Sequence, residues 1–189
     1  MACIILLQVE PMRVREAIPD DAESVIALFQ LLYSETAFLL YEPGESVPRV
    51  EDYAQRIRDT ADTQNGAMFV AEDTNRLIGV IIGTCGNAKR RHHALFLVMG
   101  VIRAYWNQGV GRSLLGAIEA WAKTRGIHRL ELTVQATNDR AIILYEGVGF
   151  VREGTKRDSI KIGTEYVDEF FMSKLIAAPD LQAPGVRAD

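Results

Sequence analysis

The chain has 189 residues, 48% of them hydrophobic, and its 21 Lys and Arg against 25 Asp and Glu give a formal net charge of −4. This size predicts one domain with a full core, and the acidic balance excludes an overall basic surface for nucleic acid or an anionic membrane. Cys3 and Cys85 are too few for a disulfide framework and have no Cys or His at a metal-ligand spacing, so we expect a cytoplasmic protein without a metal.

The two ends of the chain differ in composition from the middle. Residues 1–11, MACIILLQVEP, have a short apolar run but no basic n-region or small-residue cleavage site, so neither a signal peptide nor a membrane span is predicted. We interpret them as an N-terminal extension of a domain that covers residues 12–176. Residues 177–189 contain two prolines and a glycine with little to bury, which predicts a disordered tail.

The first half of the domain mixes strands and helices. Val14 and Ala17 indicate a short strand, and Pro19 then opens a helix whose apolar residues recur at helical spacing. After this helix we predict, in chain order, a loop at 36–50, a helix at 51–62, and the strands AMFVAED and LIGVIIGTCG, which Asn75 and Arg76 join as a hairpin.

The second half contains a strand, a helix and a second strand in succession. The strand at 94–102 is apolar on both faces, the helix runs from Gly109 to about Thr124, and a strand follows at 129–136. This crossover predicts that the two strands run parallel. The remaining segments are a helix after Asn138 that ends near 147–149, a turn region FVREGTKRD and a last strand EYVDEFFMSKLI.

Gly109 and Gly111 lie where the buried strand leads into its helix. A helix N-terminus presents free N–H groups, so glycines there allow a phosphate to approach the backbone, although a tight turn alone explains them equally well. A dinucleotide fingerprint would need glycine at position 114, which is Leu114. A P-loop would need Lys after Gly111, where the chain has Arg112.

Two motifs occur together with this order of elements over 12–176. They are the loop Gln108-Gly109-Val110-Gly111-Arg112 and the element Asn138-x-x-Ala141-x-x-Leu144-Tyr145 followed by Gly149-Phe150. In these features the chain resembles the GNAT superfamily of acetyl-CoA-dependent N-acetyltransferases. The resemblance implies an α/β fold with a mixed, mostly antiparallel central sheet, flanking helices and a splayed parallel strand pair. One position departs from the family loop, since Trp106 stands where the family has Arg or Gln.

The resemblance also implies how acetyl-CoA is held. The main chain of Met99, Gly100 and Val101 would bond to pantetheine as if to an added strand. The backbone of residues 107–112 would hold the pyrophosphate, with side-chain help from Gln108 or Arg112. These residues are Asn107, Gln108, Gly109, Val110, Gly111 and Arg112. Asn138 would contact the cofactor through its amide, which is compatible with a second role as a helix N-cap.

The resemblance assigns Tyr145 as the acid that protonates the leaving thiolate, whereas without it a packed aromatic residue is the better interpretation. For the general base, Glu72, His92 and His93 all lie at strand ends, where solvated charged groups are also common. We take Glu72 as the candidate general base, with His92 and His93 as alternatives. Cys85 in an apolar strand is not expected to act as a nucleophile.

The 36–50 loop is expected to close over the acetyl acceptor. Tyr41, Glu42 and His93 are the candidate acceptor-binding residues, and the acidic loop side chains Glu35 and Glu45 suit an amine but also an ordinary wet loop. The expected function is transfer of acetyl from acetyl-CoA to a primary amine of a small molecule or peptide in a ternary complex. The alternatives are an acyl-CoA sensor without catalysis and a protein N-terminal or lysine acetyltransferase. A homodimer is a further expectation.

Overall fold

A seven-stranded sheet forms the centre of the computed structural model, which describes residues 12–63 and 65–176. The predicted N-terminal extension, with Cys3, and the predicted tail lie outside the described residues. None of the helices within 12–63 and 65–176 is long and apolar enough to cross a membrane.

The strands are β1 Arg13–Glu16, β2 Gly66–Asp73, β3 Arg76–Cys85, β4 Ala94–Val101, β5 Arg129–Gln135, β6 Val151–Ile162 and β7 Glu165–Leu175. The helices are α1 Ala22–Glu35, α2 Val50–Asp62, α3 Val110–Thr124 and α4 Asp139–Gly147. The strand order is β1-β2-β3-β4-β5-β7-β6, and β4 with β5 forms the parallel pair among otherwise antiparallel neighbours. The predicted α/β fold, with a mixed and mostly antiparallel central sheet, is confirmed.

Side chains of β4 alternate between the two faces of the sheet. A Cβ placed on Gly111 of α3 would lie 3.5 Å from the Met99 side chain, so Met99 belongs to the α3 face. A Cβ placed on Gly100 would lie 2.6 Å from Leu32 of α1, so Gly100 belongs to the α1 face. Phe96 and Val98 therefore share the α1 face with Gly100.

The core lies between the sheet and its helices. Helix α3 packs against the sheet through its buried residues Val110, Leu114, Leu115, Ile118 and Ala122. Each fully buried Leu or Ile contributes about 1.5–3 kcal/mol. This burial holds the start of α3 at the end of β4.

The segment FVREGTKRD is not the turn region predicted from the sequence, because Val151–Ile162 form the long strand β6. Residues 151–158 are all exposed, so this edge strand needs no apolar alternation that a sequence pattern could reveal. Its conformation comes from backbone pairing with β7, interrupted by irregularities at Arg152/Gly154 and Lys156/Ile160.

Candidate active site

Strands β4 and β5 separate after a short stretch of pairing. They are in register from Ala94 opposite Arg129 to Phe96 opposite Glu131, although β4 continues to Val101 and β5 to Gln135. On its other side β4 stays paired with β3 as far as Val101. The splay opens a cleft of about 1210 Å³ lined by the second halves of β4 and β5 and by the first turns of α3 and α4.

The glycine loop ends at the first turn of α3. Gly109 has φ +83°, a left-handed conformation that favours glycine, and its carbonyl accepts the first helical hydrogen bond from Ser113 N at 3.0 Å. The amides of Val110, Gly111 and Arg112 precede that bond, and all three residues line the cleft. They supply N–H groups and the positive end of the helix dipole to an anion.

Gly111 allows α3 to approach α4 closely. A Cβ at this position would lie 2.8 Å from Leu144 Cδ2, a distance that real Cβ contacts do not show. Because α4 carries Tyr145, this close approach fixes the distance between the glycine loop and the tyrosine.

Trp106 connects the end of β4 with α4. Its Nε1 donates to the Val101 carbonyl at 2.7 Å, and the Arg140 guanidinium lies over its ring, with Cζ 4.1 Å from the ring centroid. Arg103 lies over the same ring at 5.4 Å. Arg140 and Arg112 both line the cleft, and Arg112 Nη1 donates to the Gly147 carbonyl at the end of α4 at 3.4 Å.

Asn138 and Tyr145 lie at opposite ends of α4. Asn138 Oδ1 accepts from Ala141 N at 3.2 Å, so this side chain caps the helix. Tyr145 is buried at 7% exposure, lines the cleft and lies 5.7 Å from the Phe150 ring. Burial raises the pKa of the Tyr145 phenol to about 12, so the hydroxyl stays protonated at neutral pH and is able to donate.

Three polar side chains lie in a row on the α1 face, across β5, β7 and β6. Gln135 is directly opposite Glu169, and Glu169 is directly opposite Lys156. Glu169 is only 8% exposed and accepts hydrogen bonds from Lys156 Nζ at 2.7 Å and Ser159 Oγ at 3.0 Å. Burial alone would raise the pKa of Glu169, but its hydrogen bonds from Lys156, Thr133 and Ser159 outweigh burial and lower it.

Gln135 ties the segment after α1 to the sheet. Its Nε2 donates to the Ala37 carbonyl at 2.7 Å, which holds Phe38, Leu39 and Leu40 over the cleft. Gln135 is 4% exposed, and within the described part of the chain its Oε1 has no hydrogen-bond partner. A buried acceptor without a donor costs about 1–3 kcal/mol, so this atom is poised to accept from a ligand.

The cleft brings together most of the residues expected to hold the cofactor. Those that line it are Met99, Gly100, Val101, Asn107, Gly109, Val110, Gly111, Arg112, Asn138 and Tyr145. Gln108 does not belong to this lining, and its Nε2 donates instead to the Ala104 carbonyl at 2.8 Å.

Glu72 lies on β2, outside the cleft lining. It accepts hydrogen bonds from Arg15 and Arg13 at 2.9 and 3.1 Å, and the bond from Arg15 is the largest cause of its lowered pKa. A carboxylate held in this way is a weak base, so the geometry favours a structural role for Glu72.

The remaining candidates for base and acceptor binding are spread over the surface. His92 and His93 are exposed where β4 begins, and the His93 carbonyl accepts from the His128 and Arg129 amides. Glu42 lies outside the cleft lining, and its amide donates to Glu45 Oε2 at 2.9 Å. Tyr41 lines a smaller adjoining pocket of about 410 Å³.

Glu35 and Cys85, which the sequence analysis also considered, have structural roles. Glu35 Oε2 accepts from the Arg103 amide at 2.6 Å, which joins the end of α1 to the segment before the glycine loop. Cys85 is buried, and burial raises the pKa of its thiol, so it is held as a thiol rather than a thiolate. In 12–63 and 65–176, no group of three or more His, Cys, Asp or Glu is placed to hold a metal ion.

The sequence interpretation missed Gln135, Lys156 and Glu169. The segment HRLELTVQA carries a signal for Gln135, because its polar residues alternate with the apolar ones and so share a face. Lys156 lies in the strand that was interpreted as a turn, so nothing in the sequence placed it beside Glu169.

Comparisons with known proteins agree with this geometry. The model of the "Acetyltransferase (GNAT) family" matches residues 27–150, more than half of the chain. L-amino acid N-acetyltransferase AaaT of Escherichia coli is 29% identical over 130 residues, which cover 68% of this chain and 80% of that protein. Mycothiol acetyltransferase of Propionibacterium freudenreichii is 24% identical over 131 residues, which cover 69% of this chain, and the match spans only 40% of that protein.

Solved structures show the same fold. The acetyltransferase of GNAT family from Streptococcus pneumoniae aligns with a TM-score of 0.85 at 31% identity, covering 88% of this chain and 100% of that one. Two acetyltransferases with TM-scores of 0.78 were solved with acetyl-CoA. The chain therefore belongs to the GNAT family of acetyltransferases, and acetyl-CoA is its co-substrate.

Proposed function

We propose that this protein transfers the acetyl group of acetyl-CoA to a primary amine of a small molecule, by direct attack within a ternary complex. The observation that carries the proposal is the splay of β4 from β5, which opens the sheet to both of its faces. The glycine loop and its guanidinium groups lie on one side of the opening, and Glu169 with Gln135 lies on the other. Two reactants held on opposite sides meet between the strands.

The side formed by α3 and α4 fits acetyl-CoA. The amides at the start of α3 bind the pyrophosphate, and the edge of β4 that faces away from β3 offers its main chain to pantetheine. Trp106 does not supply the side chain expected from the family, but its ring stacks against the Arg140 guanidinium, and Arg140 lines the same cleft. Arg140 thus adds a positive charge to the lining of this side of the cleft.

The transfer step uses Tyr145 as the acid. Acetyl-CoA supplies the activated thioester. The neutral amine nitrogen bonds to the acetyl carbon, the carbon–sulfur bond breaks, and the Tyr145 hydroxyl gives its proton to the departing sulfur. The nitrogen releases one proton as the amide forms, and water carries it to Tyr145. Glu169 and Gln135 position the amine, because the lowered pKa of Glu169 makes it a better anchor than a base.

The segment that Gln135 holds favours a small molecule, rather than a folded protein, as the acceptor. Phe38, Leu39 and Leu40 of this segment line the acceptor side of the cleft and narrow the access to it. An acyl-CoA sensor would need neither the protonated tyrosine nor the buried Glu169. A cytoplasmic location and a homodimer stay predictions from the sequence alone.

The experiment is calorimetric titration of the protein with acetyl-CoA, followed by thiol release across a set of amines. We expect binding together with thiol release that depends on one class of amine. Binding without release on any amine, peptides included, would favour the sensor, and absence of binding would contradict the proposal.

A further inference from the structure

We propose that the acceptor is a monoamine with an apolar body, an alkyl or arylalkyl amine rather than a polyamine or a small polar amine. This inference rests on the proposed function and concerns the α1 face of the cleft. It follows from the two unlike walls of that face, one apolar and one polar, and from the charges that the polar wall carries.

The apolar wall is formed by β4. Phe96 and Val98 are 36% and 41% exposed although β4 is the middle strand of seven. Leu40 in the segment above them is 72% exposed and lines the same cleft. Apolar side chains that remain exposed together at a binding cleft are expected to be covered by an apolar part of the ligand.

The polar wall lies beside the apolar wall on the same face of the sheet, on β5, β7 and β6. The Glu169 carboxylate suits an ammonium or amine, and Gln135 Oε1 is a buried acceptor that lacks a donor within the described residues. One amine group satisfies both. The nitrogen then lies beside the splay, with the rest of the acceptor turned toward Phe96 and Val98.

The charges argue against a polyamine. The carboxylates in the cleft lining are Glu169 and Asp139, and Asp139 belongs to the first turn of α4, on the cofactor side. Glu169 already pairs with Lys156 at 2.7 Å. Among the described residues of this wall, a second and third ammonium would find no further carboxylate and would meet Lys156 instead.

An apolar body has room to extend. The adjoining pocket of about 410 Å³ shares Leu39, Leu40, Phe96 and Val98 with the cleft. Tyr33 and Tyr53 of α1 and α2 line its far side, and both are buried. Asp52 and Arg56 also line this pocket, and Asp52 already pairs with Arg49 at 3.0 Å. The shared side chains thus form an apolar border between the two spaces, with tyrosines beyond it.

The test compares thiol release with 2-phenylethylamine, ethanolamine and spermidine at saturating acetyl-CoA. The inference predicts that kcat/KM for 2-phenylethylamine exceeds that for each of the others by about tenfold or more, as expected when an apolar group enters an apolar pocket. A preference for spermidine or ethanolamine would overturn the inference and leave the proposed function standing. Acetyl-CoA binding without release from 2-phenylethylamine would also overturn it.

A pair of matched variants locates the contact. Val98→Thr keeps the shape of the side chain but adds a hydroxyl to the apolar wall, and we expect the KM for 2-phenylethylamine to rise about fourfold. The acetyl-CoA Kd should not change, because Val98 faces α1. Val151→Thr is the control, since Val151 is 60% exposed on β6 and outside the cleft. Equal effects of the two substitutions on the KM for 2-phenylethylamine would contradict the contact between Val98 and the acceptor. Failure of the unaltered protein to bind acetyl-CoA would instead overturn the proposed function.

Discussion

The two sides of the cleft are built from different parts of the polypeptide. On the α3 and α4 side, main-chain groups and two arginines come from residues 99–112 and from the start of α4. On the α1 side, side chains from three strands and from the segment after α1 meet across the sheet. A site made of backbone tolerates many side chains, whereas a site made of side chains changes its ligand when one of them changes. The first side suits a constant co-substrate and the second a specific acceptor.

The largest effect is expected from Tyr145→Phe, which should separate chemistry from binding. Loss of the hydroxyl removes the proton donor while the ring still packs near Phe150. We expect kcat to fall by about 10²-fold or more, with the acetyl-CoA Kd nearly unchanged. Thiol release and calorimetry measure the two quantities, and equal losses in both would make Tyr145 a packing residue.

Glu169→Gln should affect only the acceptor side. The variant keeps the volume but removes the charge that attracts the amine, so we expect the KM for the amine to rise about tenfold with an unchanged acetyl-CoA Kd. The matched control is Glu72→Gln, a carboxylate on β2 outside the cleft, which should leave both values as they are. Loss of turnover in Glu72→Gln would restore Glu72 as the base and contradict our assignment.

Arg140→Ala should affect only the cofactor side. Removing the guanidinium that lies 4.1 Å from the Trp106 ring should weaken acetyl-CoA binding about fivefold, as for loss of one charged contact. Arg125→Ala is the control, because Arg125 lies over Trp121 at 5.5 Å, at the opposite end of α3. Calorimetry at low salt compares the two, and an unchanged Kd in Arg140→Ala would remove Arg140 from the phosphate site.

The smallest effect concerns the stability of the sheet edge. Because hydrogen bonds from Arg15 and Arg13 lower the pKa of Glu72 in the folded state, its stabilisation holds above the ordinary carboxyl pKa and is lost as the pH falls. Glu72→Gln should therefore lower the free energy of unfolding by about 1 kcal/mol at pH 7. The difference should shrink as the pH falls below the ordinary carboxyl pKa of about 4.3 and vanish once the pH lies below the lowered pKa of folded Glu72, and urea unfolding at pH 7 and along an acid series measures it.

The sequence predicts one side of the cleft better than the other for a physical reason. The glycine loop is local, so Gly109 and Gly111 are recognisable from spacing alone, and the parallel pair follows from the crossover around α3. Glu169, Lys156 and Gln135 become neighbours only through strand pairing, and β6 has no apolar pattern of its own. Glu72 was singled out because it ends a strand, and nothing in its local sequence reveals that Arg15 engages it.

The most direct measurement of the two-sided site is initial-velocity kinetics with acetyl-CoA and 2-phenylethylamine both varied. Because each reactant binds its own side of the cleft and the acetyl group passes directly between them, we predict reciprocal plots that intersect. Parallel lines would show that the acetyl group rests on the protein between two separate steps, and they would contradict direct attack in a ternary complex.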